Sequence, residues 1–178
     1  MSAVAIRAVV AVVVLALASA CRSSASDAGA ESDVENTVRA AVAAIERRDE
    51  PAVRRAFVED DRLRWYTDGA LAYASVDAML ASMASYGSVR FATELEDVEV
   101  VVLARKSAAA SAAFTTELSG PGVDDVRYGG VLTWVLEHDD ATDTWRIVRG
   151  HTSTPGGPPG AEANVEDTSS AVDPSSSP

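Results

Sequence analysis

Around Ser88 the chain changes character. Before it, apolar residues recur at helical spacing; after it, four long β-rich runs reach Ser153. Helical segments followed by consecutive strands specify an α+β domain, with the helices gathered on one face of an antiparallel sheet. Ser32-Asp33-Val34-Glu35 has the capping-box pattern, after which Val34, Val38, Ala41, Val42 and Ile45 form one apolar stripe. Asp49-Glu50-Pro51 opens a second, short helix with acids and proline in its first turn, and Val53, Ala56 and Phe57 form its buried side. Glu59-Asp60-Asp61 then belongs to a turn. Asp68-Gly69, between residues 63–67 and 70–75, is a hairpin signal, because a type I′ turn needs positive φ at both central positions. The expected register sets Tyr66 opposite Leu71, Arg64 opposite Tyr73 and Trp65 opposite Ala72. Ser75-Val76-Asp77 opens a third helix with Val76, Met79, Leu80 and Met83 inward, and Gly87 closes it. Strands are expected over residues 89–103, bulged near Glu96-Asp97, and over 108–118, 127–137 and 144–153.

Two arms bracket this domain. In residues 1–20, Arg7 precedes an unbroken apolar run from Ala8 to Ala18. As a helix that run reaches about 16 Å, short of a hydrocarbon core of about 30 Å, so it reads as a secretory signal peptide. The segment ends Leu17-Ala18-Ser19-Ala20-Cys21, and Cys21 is the sole cysteine of the chain. That ending resembles a bacterial lipobox, although the leucine usual three residues before the cysteine is Ala18 here. The resemblance implies that Cys21 carries lipid after cleavage and holds the protein to a membrane; an ordinary signal peptide with an incidental cysteine is the alternative. Arg22 stands where an Asp would retain such a protein at the inner membrane, which implies the outer membrane if the source is Gram-negative. Residues 21–31 read as the lipidated cysteine and a flexible tether. Residues 154–178 hold five of the seven prolines and no Lys, Arg or aromatic residue, the composition of a disordered tail. The folded domain is therefore expected over 32–153.

The formal charge of −12, with no cluster of Lys and Arg, excludes a nucleic-acid binder. A single cysteine excludes an intramolecular disulfide and a cysteine-based zinc cage. Asp139, Asp140 and Asp143 lack the spacing and central glycine of an EF-hand loop, so they read as a solvated turn beside His138. No nucleotide, serine-hydrolase or zinc-protease motif occurs. No metal and no cofactor is expected.

The element order, the Phe57-Val58-Glu59-Asp60-Asp61 ending of the second helix, the Asp-Gly hairpin and the closing Trp145-Arg146-Ile147-Val148-Arg149-Gly150-His151-Thr152-Ser153 resemble the SnoaL-like domains of the nuclear transport factor 2-like superfamily. Gly130-Val131-Leu132-Thr133-Trp134-Val135 fits the same pattern. The resemblance covers about Asp33 to Ser153. It implies a cone-shaped curved sheet wrapped around three N-terminal helices, with one pocket at the open end. This superfold hosts isomerases, dehydratases, cyclases and non-catalytic binders. Ketosteroid isomerase, one member, uses an Asp base, a Tyr and a protonated Asp. Transferred onto this chain, those places fall on Tyr66, Ala41 and Thr133, none of which is the required group, so isomerase chemistry is not expected.

His151 is the weak catalytic candidate, since imidazole titrates near neutrality, and Glu137 could reach it in one strand register. Strand alternation sets Trp145, Ile147, Arg149 and His151 on one face. With Tyr66 and the mid-strand Thr133, the residues Trp145, Arg149 and His151 make up the expected ligand pocket. Three readings stay open: a lipid-anchored, non-catalytic binder of a small apolar ligand or a partner; a hydrolase, dehydratase or cyclase using His151; and an envelope protein whose cone only assembles dimers. The first is the expectation. Apolar residues at both parities of 108–118 and 127–137 further imply a homodimer through the open sheet face, with Trp134 or its neighbours as anchors.

Overall fold

The computed structural model describes residues 27–155. Three helices precede or interrupt the strands: α1 over residues 27–47, α2 over Glu50–Ala56 and α3 over Val76–Ser85. The strands are β1 (Arg64–Thr67), β2 (Ala70–Tyr73), β3 (Arg90–Ala104), β4 (Ser107–Gly120), β5 (Val123–Asp139) and β6 (Thr144–Ser153). They form one curved, open sheet in the order β2-β1-β6-β5-β4-β3. Every neighbouring pair is antiparallel except β1 with β6. This is the α+β cone expected from the sequence.

The helices form where the pattern placed them, with one difference. Helix α1 is already formed at residue 27, so Ser32-Asp33-Val34-Glu35 lies inside it and residues 27–31 are helical where a tether was expected. Asp27 and Glu31 supply the acids that favour a helix beginning. Its stripe of Val34, Val38, Ala41 and Ala44 is almost fully buried. Asp49 caps α2 by accepting the Ala52 amide at 3.1 Å, and Ser75 caps α3 by accepting the Ala78 amide at 3.1 Å. Gly87, at φ +54°, follows the end of α3 and turns the chain into β3. Cys21 and residues 156–178, the expected lipidation site and most of the expected disordered tail, lie outside the described residues.

Asp68 and Gly69 take φ of +49° and +85°, as the type I′ reading requires. Tyr66 pairs with Leu71 as expected, but a bulge between Trp65 and Tyr66 sets Trp65, rather than Arg64, opposite Tyr73. The turn also fastens the end of the domain. The Asp68 carboxylate accepts from the Thr154 amide at 2.7 Å and from its hydroxyl at 2.6 Å. Those two bonds hold the carboxyl below its ordinary range.

The core lies between the helices and one face of the sheet. In β4, Ala108, Ala110, Ala112 and Phe114 point inward; in β5, Leu132, Trp134 and Leu136 do. Ala110 stands opposite Trp134 and Ala112 opposite Leu132, so small side chains face large ones across the ladder. In β3 the expected bulge falls between Glu96 and Glu99, where Asp97 has φ +50°.

Candidate ligand-binding site

Beneath the helices the sheet encloses a cavity of about 220 Å³. Helix α3 lines it with Met79 and Met83, which are four residues apart and therefore stacked on one helix face. Helix α1 contributes Val42, Ile45 and Glu46 from the flank of its buried stripe. The sheet supplies aromatic walls. Trp65 and Tyr73 come from the hairpin, Phe91 and Phe114 from β3 and β4, and Tyr128 from β5. Phe114 meets Tyr128 edge to face with centroids 6.1 Å apart, and Tyr86 meets Phe91 likewise at 4.8 Å.

Polar groups gather on one wall. Thr93, Thr116 and Tyr128 occupy one cross-strand row on the inner faces of β3, β4 and β5. The Thr93 and Thr116 hydroxyls lie 3.0 Å apart, and Thr116 is almost fully buried. Burial pushes the Tyr128 phenol above its ordinary range, partly offset by its hydrogen bond with Thr116. Glu46 accepts the Thr93 amide. At the mouth, Arg48 donates to the carbonyls of Gly87 and Val89, tying the end of α1 to the turn before β3. Elsewhere in the lining, Tyr73 shares a hydrogen bond with Ser82 at 3.1 Å, and the Trp65 indole donates to Thr152 at 3.1 Å.

None of the five residues expected to form the pocket lines this cavity. On β6 the cause is a single bulge. Leu136 pairs with Ile147 but Val135 with Arg149, so Val148 is an extra residue and strand parity inverts there. Trp145 and Ile147 therefore point into the core, whereas Arg149 and His151 point away from the helices. Trp145 stacks edge to face on His138 at 5.2 Å, beside Asp140 and Asp143 of the acidic turn. Tyr66, Thr133, Arg149 and His151 do come together, in a shallow trough on the outer sheet face. There Tyr66 pairs with His151, His151 with Thr133, Thr133 with Ser111 and Ser111 with Glu99, one row across five strands.

Glu137 is not His151's partner. It stands opposite Arg146 in the ladder and pairs with Arg62. The isomerase transfer fails in space as well as in chemistry, since Ala41 is buried in the helical core while Tyr66 and Thr133 lie outside. Trp134, a proposed outward anchor, is only 2% exposed and faces inward.

The polar cavity residues that sequence reasoning missed include Glu46, Thr93 and Thr116. Alternation alone could have flagged two of them. Thr93 shares parity with Phe91 and Leu95, and Thr116 with Ala112 and Phe114, so both are hydroxyls on an apolar face.

This geometry agrees with what the chain resembles. Residues 29–150 match the family described as "Putative lumazine-binding". The chain belongs to that family. No curated protein matches it. Among solved structures, a nuclear transport factor 2-like superfamily protein from Salmonella enterica serovar Typhimurium LT2 superposes with a TM-score of 0.64 at 14% identity, over 79% of this chain and 97% of that one. A ketosteroid isomerase-like protein from Erwinia carotovora atroseptica gives 0.56 at 23% identity, over 70% and 95%. A protein described as a "putative dehydratase" from Streptomyces avermitilis gives 0.60 at 20%, over 70% and 95%. At such identities the likeness shows the fold alone, and it is the fold of nuclear transport factor 2-like proteins.

Proposed function

We propose that the domain binds a small, planar, largely apolar molecule in the cavity beneath α1 and α3. The observation that carries this reading is a space walled largely by aromatic rings and methionines, with a row of hydroxyls along one wall, the usual composition of a small-molecule site. The family description makes lumazine, a two-ring heterocycle, the first ligand to try. Met83 is the lining residue best suited to a blocking variant, because it is nearly buried and sits at the edge of α3. Titrating the domain with lumazine, indole and naphthalene should give saturable binding for at least one. Met83→Trp, which fills the space, should abolish it while leaving the fold's circular dichroism intact. Absence of saturable binding by all three would overturn the reading.

We further propose that this binding occurs in the cell envelope. The support is the run Ala8 to Ala18 and the placement of the only cysteine behind it. A diacylated, N-acylated Cys21 would anchor stably, since two or more chains are needed for lasting membrane attachment. Expressed in full length in a bacterial host, the protein should fractionate with membranes, and Cys21→Ala should move it to the soluble fraction. Retention of the variant in membranes would refute the anchor. We propose too that the outer sheet face seats a second copy of the chain.

A further inference from the structure

We infer that Glu46 makes the cavity selective for ligands that present an N–H or O–H donor, or a positive charge, at the α1 end, and that it rejects carboxylates there. The inference rests on the ligand-binding reading above and names which ligands satisfy it. Glu46 lines the cavity, is half-buried, and accepts the backbone amide of Thr93 with one carboxylate oxygen, Oε1. Among the described residues no Lys, Arg or His forms an ion pair with it, although eight ion pairs of Lys or Arg occur elsewhere in the domain. The neighbouring cation in sequence, Arg47, is exposed and does not line the cavity. Arg48 lines the same cavity, but it is exposed at the mouth and its guanidinium is engaged with the Gly87 and Val89 carbonyls.

The second oxygen of Glu46 thus has acceptor capacity left over in a largely apolar space. A half-buried carboxylate is stabilised by any donor that reaches it, and charge-assisted hydrogen bonds are about twice as strong as neutral ones. It repels an anion for the same reason, with less solvent screening than at the surface. The adjoining wall reinforces the polarity. Thr93 lies beside Glu46, and Thr116 carries the row on to Tyr128, so a bound ring would meet a line of hydrogen-bonding groups along that edge. Ligand class follows from that asymmetry: an aromatic amine or a heterocycle with a ring N–H fits, and an aromatic acid of equal size does not.

Three probes of one shape separate this from the parent reading: tryptamine, indole and indole-3-acetate. Tryptamine is expected to bind at least about tenfold more tightly than indole-3-acetate, the ratio that a single charge-assisted hydrogen bond supports. Glu46→Gln keeps a carbonyl that can accept the Thr93 amide and so preserves the local structure. It should erase the preference, bringing the affinities for amine and acid within about twofold of each other. If wild type binds tryptamine and indole-3-acetate equally, or if Glu46→Gln keeps the preference, the selectivity is wrong while the cavity reading survives. If neutral indole also fails to bind, the cavity reading itself falls, and the selectivity with it.

Discussion

Gly150→Ala should cost the domain about 3 kcal/mol or prevent it from folding, as a fall in the midpoint of urea or thermal denaturation. Gly150 lies on the inner face of β6, in a row that runs Val100, Ala110, Trp134, Gly150, Trp65 and Tyr73 across the sheet. The six-membered ring of Trp65 packs directly against it. A methyl group there would sit 2.1 Å from two of the ring carbons, far inside contact distance. The ring cannot swing away freely. Its indole N–H is bonded to Thr152 and its face meets Phe57 edge on at 6.2 Å. Relief would require moving Trp65, which is buried and forms part of the cavity wall. The effect should therefore appear twice, as lost stability and as weakened ligand binding. Unchanged stability in Gly150→Ala would mean that Trp65 is not seated as described. Ala109→Gly, on the outer face of β4, is a suitable comparison, since it changes a strand residue by the same single methyl without touching that ring.

The second large effect concerns association. Val101, Val131 and Val135 are 57%, 48% and 43% exposed on the outer sheet face, with Ala109, Ala113, Ser111 and Thr133 between them. An antiparallel strand wetted on one side should be polar on that side. A two-fold axis lying along the strands between β4 and β5 would lay β3 of one copy over β6 of the other. It would bring Glu99 over His151 and Val101 over the stem of Arg149, while Ser111 meets Thr133 and Ala109 meets Val135. Acid thus falls on base and small on branched, a self-complementarity that a second copy satisfies and an unrelated partner would match only by chance. Val135→Glu should raise the dimer dissociation constant by about a hundredfold, because each copy would bury an extra carboxylate. The monomer should tolerate the change, since Arg149 stands directly opposite position 135. Sedimentation of the domain without residues 1–21 decides the matter. A monomer mass for wild type at tens of micromolar would exclude the dimer, and an undisturbed dimer in Val135→Glu would move the interface elsewhere.

The architecture was legible because its signals are local. Capping residues, the Asp-Gly turn and the shift from helical to strand spacing each act over a few neighbouring residues, and the helix-then-strand order fixes the class. The site was not legible for a physical reason that one residue illustrates. Alternation assumes an unbroken strand, and Val148 breaks it. Trp145 and His151, six residues apart on one strand, should share a face and do not. Trp134 lies inside because Leu132, Trp134 and Leu136 alternate without a break on the inner face of β5. Glu46 was hidden for a different reason. At the edge of an apolar helical stripe a glutamate looks like a solvated flank, and only the strand that folds across it, with Thr93 near its start, encloses it.

The clasp between Asp68 and Thr154 has a mechanical consequence. Strand β6 is the last of the fold, and it runs parallel to β1 from the Arg64–Arg149 pair to the Thr67–Thr152 pair. A force drawn on the chain beyond Pro155 would reach the domain first through the two bonds at Asp68. It would then load the β1–β6 ladder along the strands, so that several bonds share the force instead of opening one after another. Tension from that side would be resisted in shear, and the cavity behind Trp65 would feel it only after the clasp had parted.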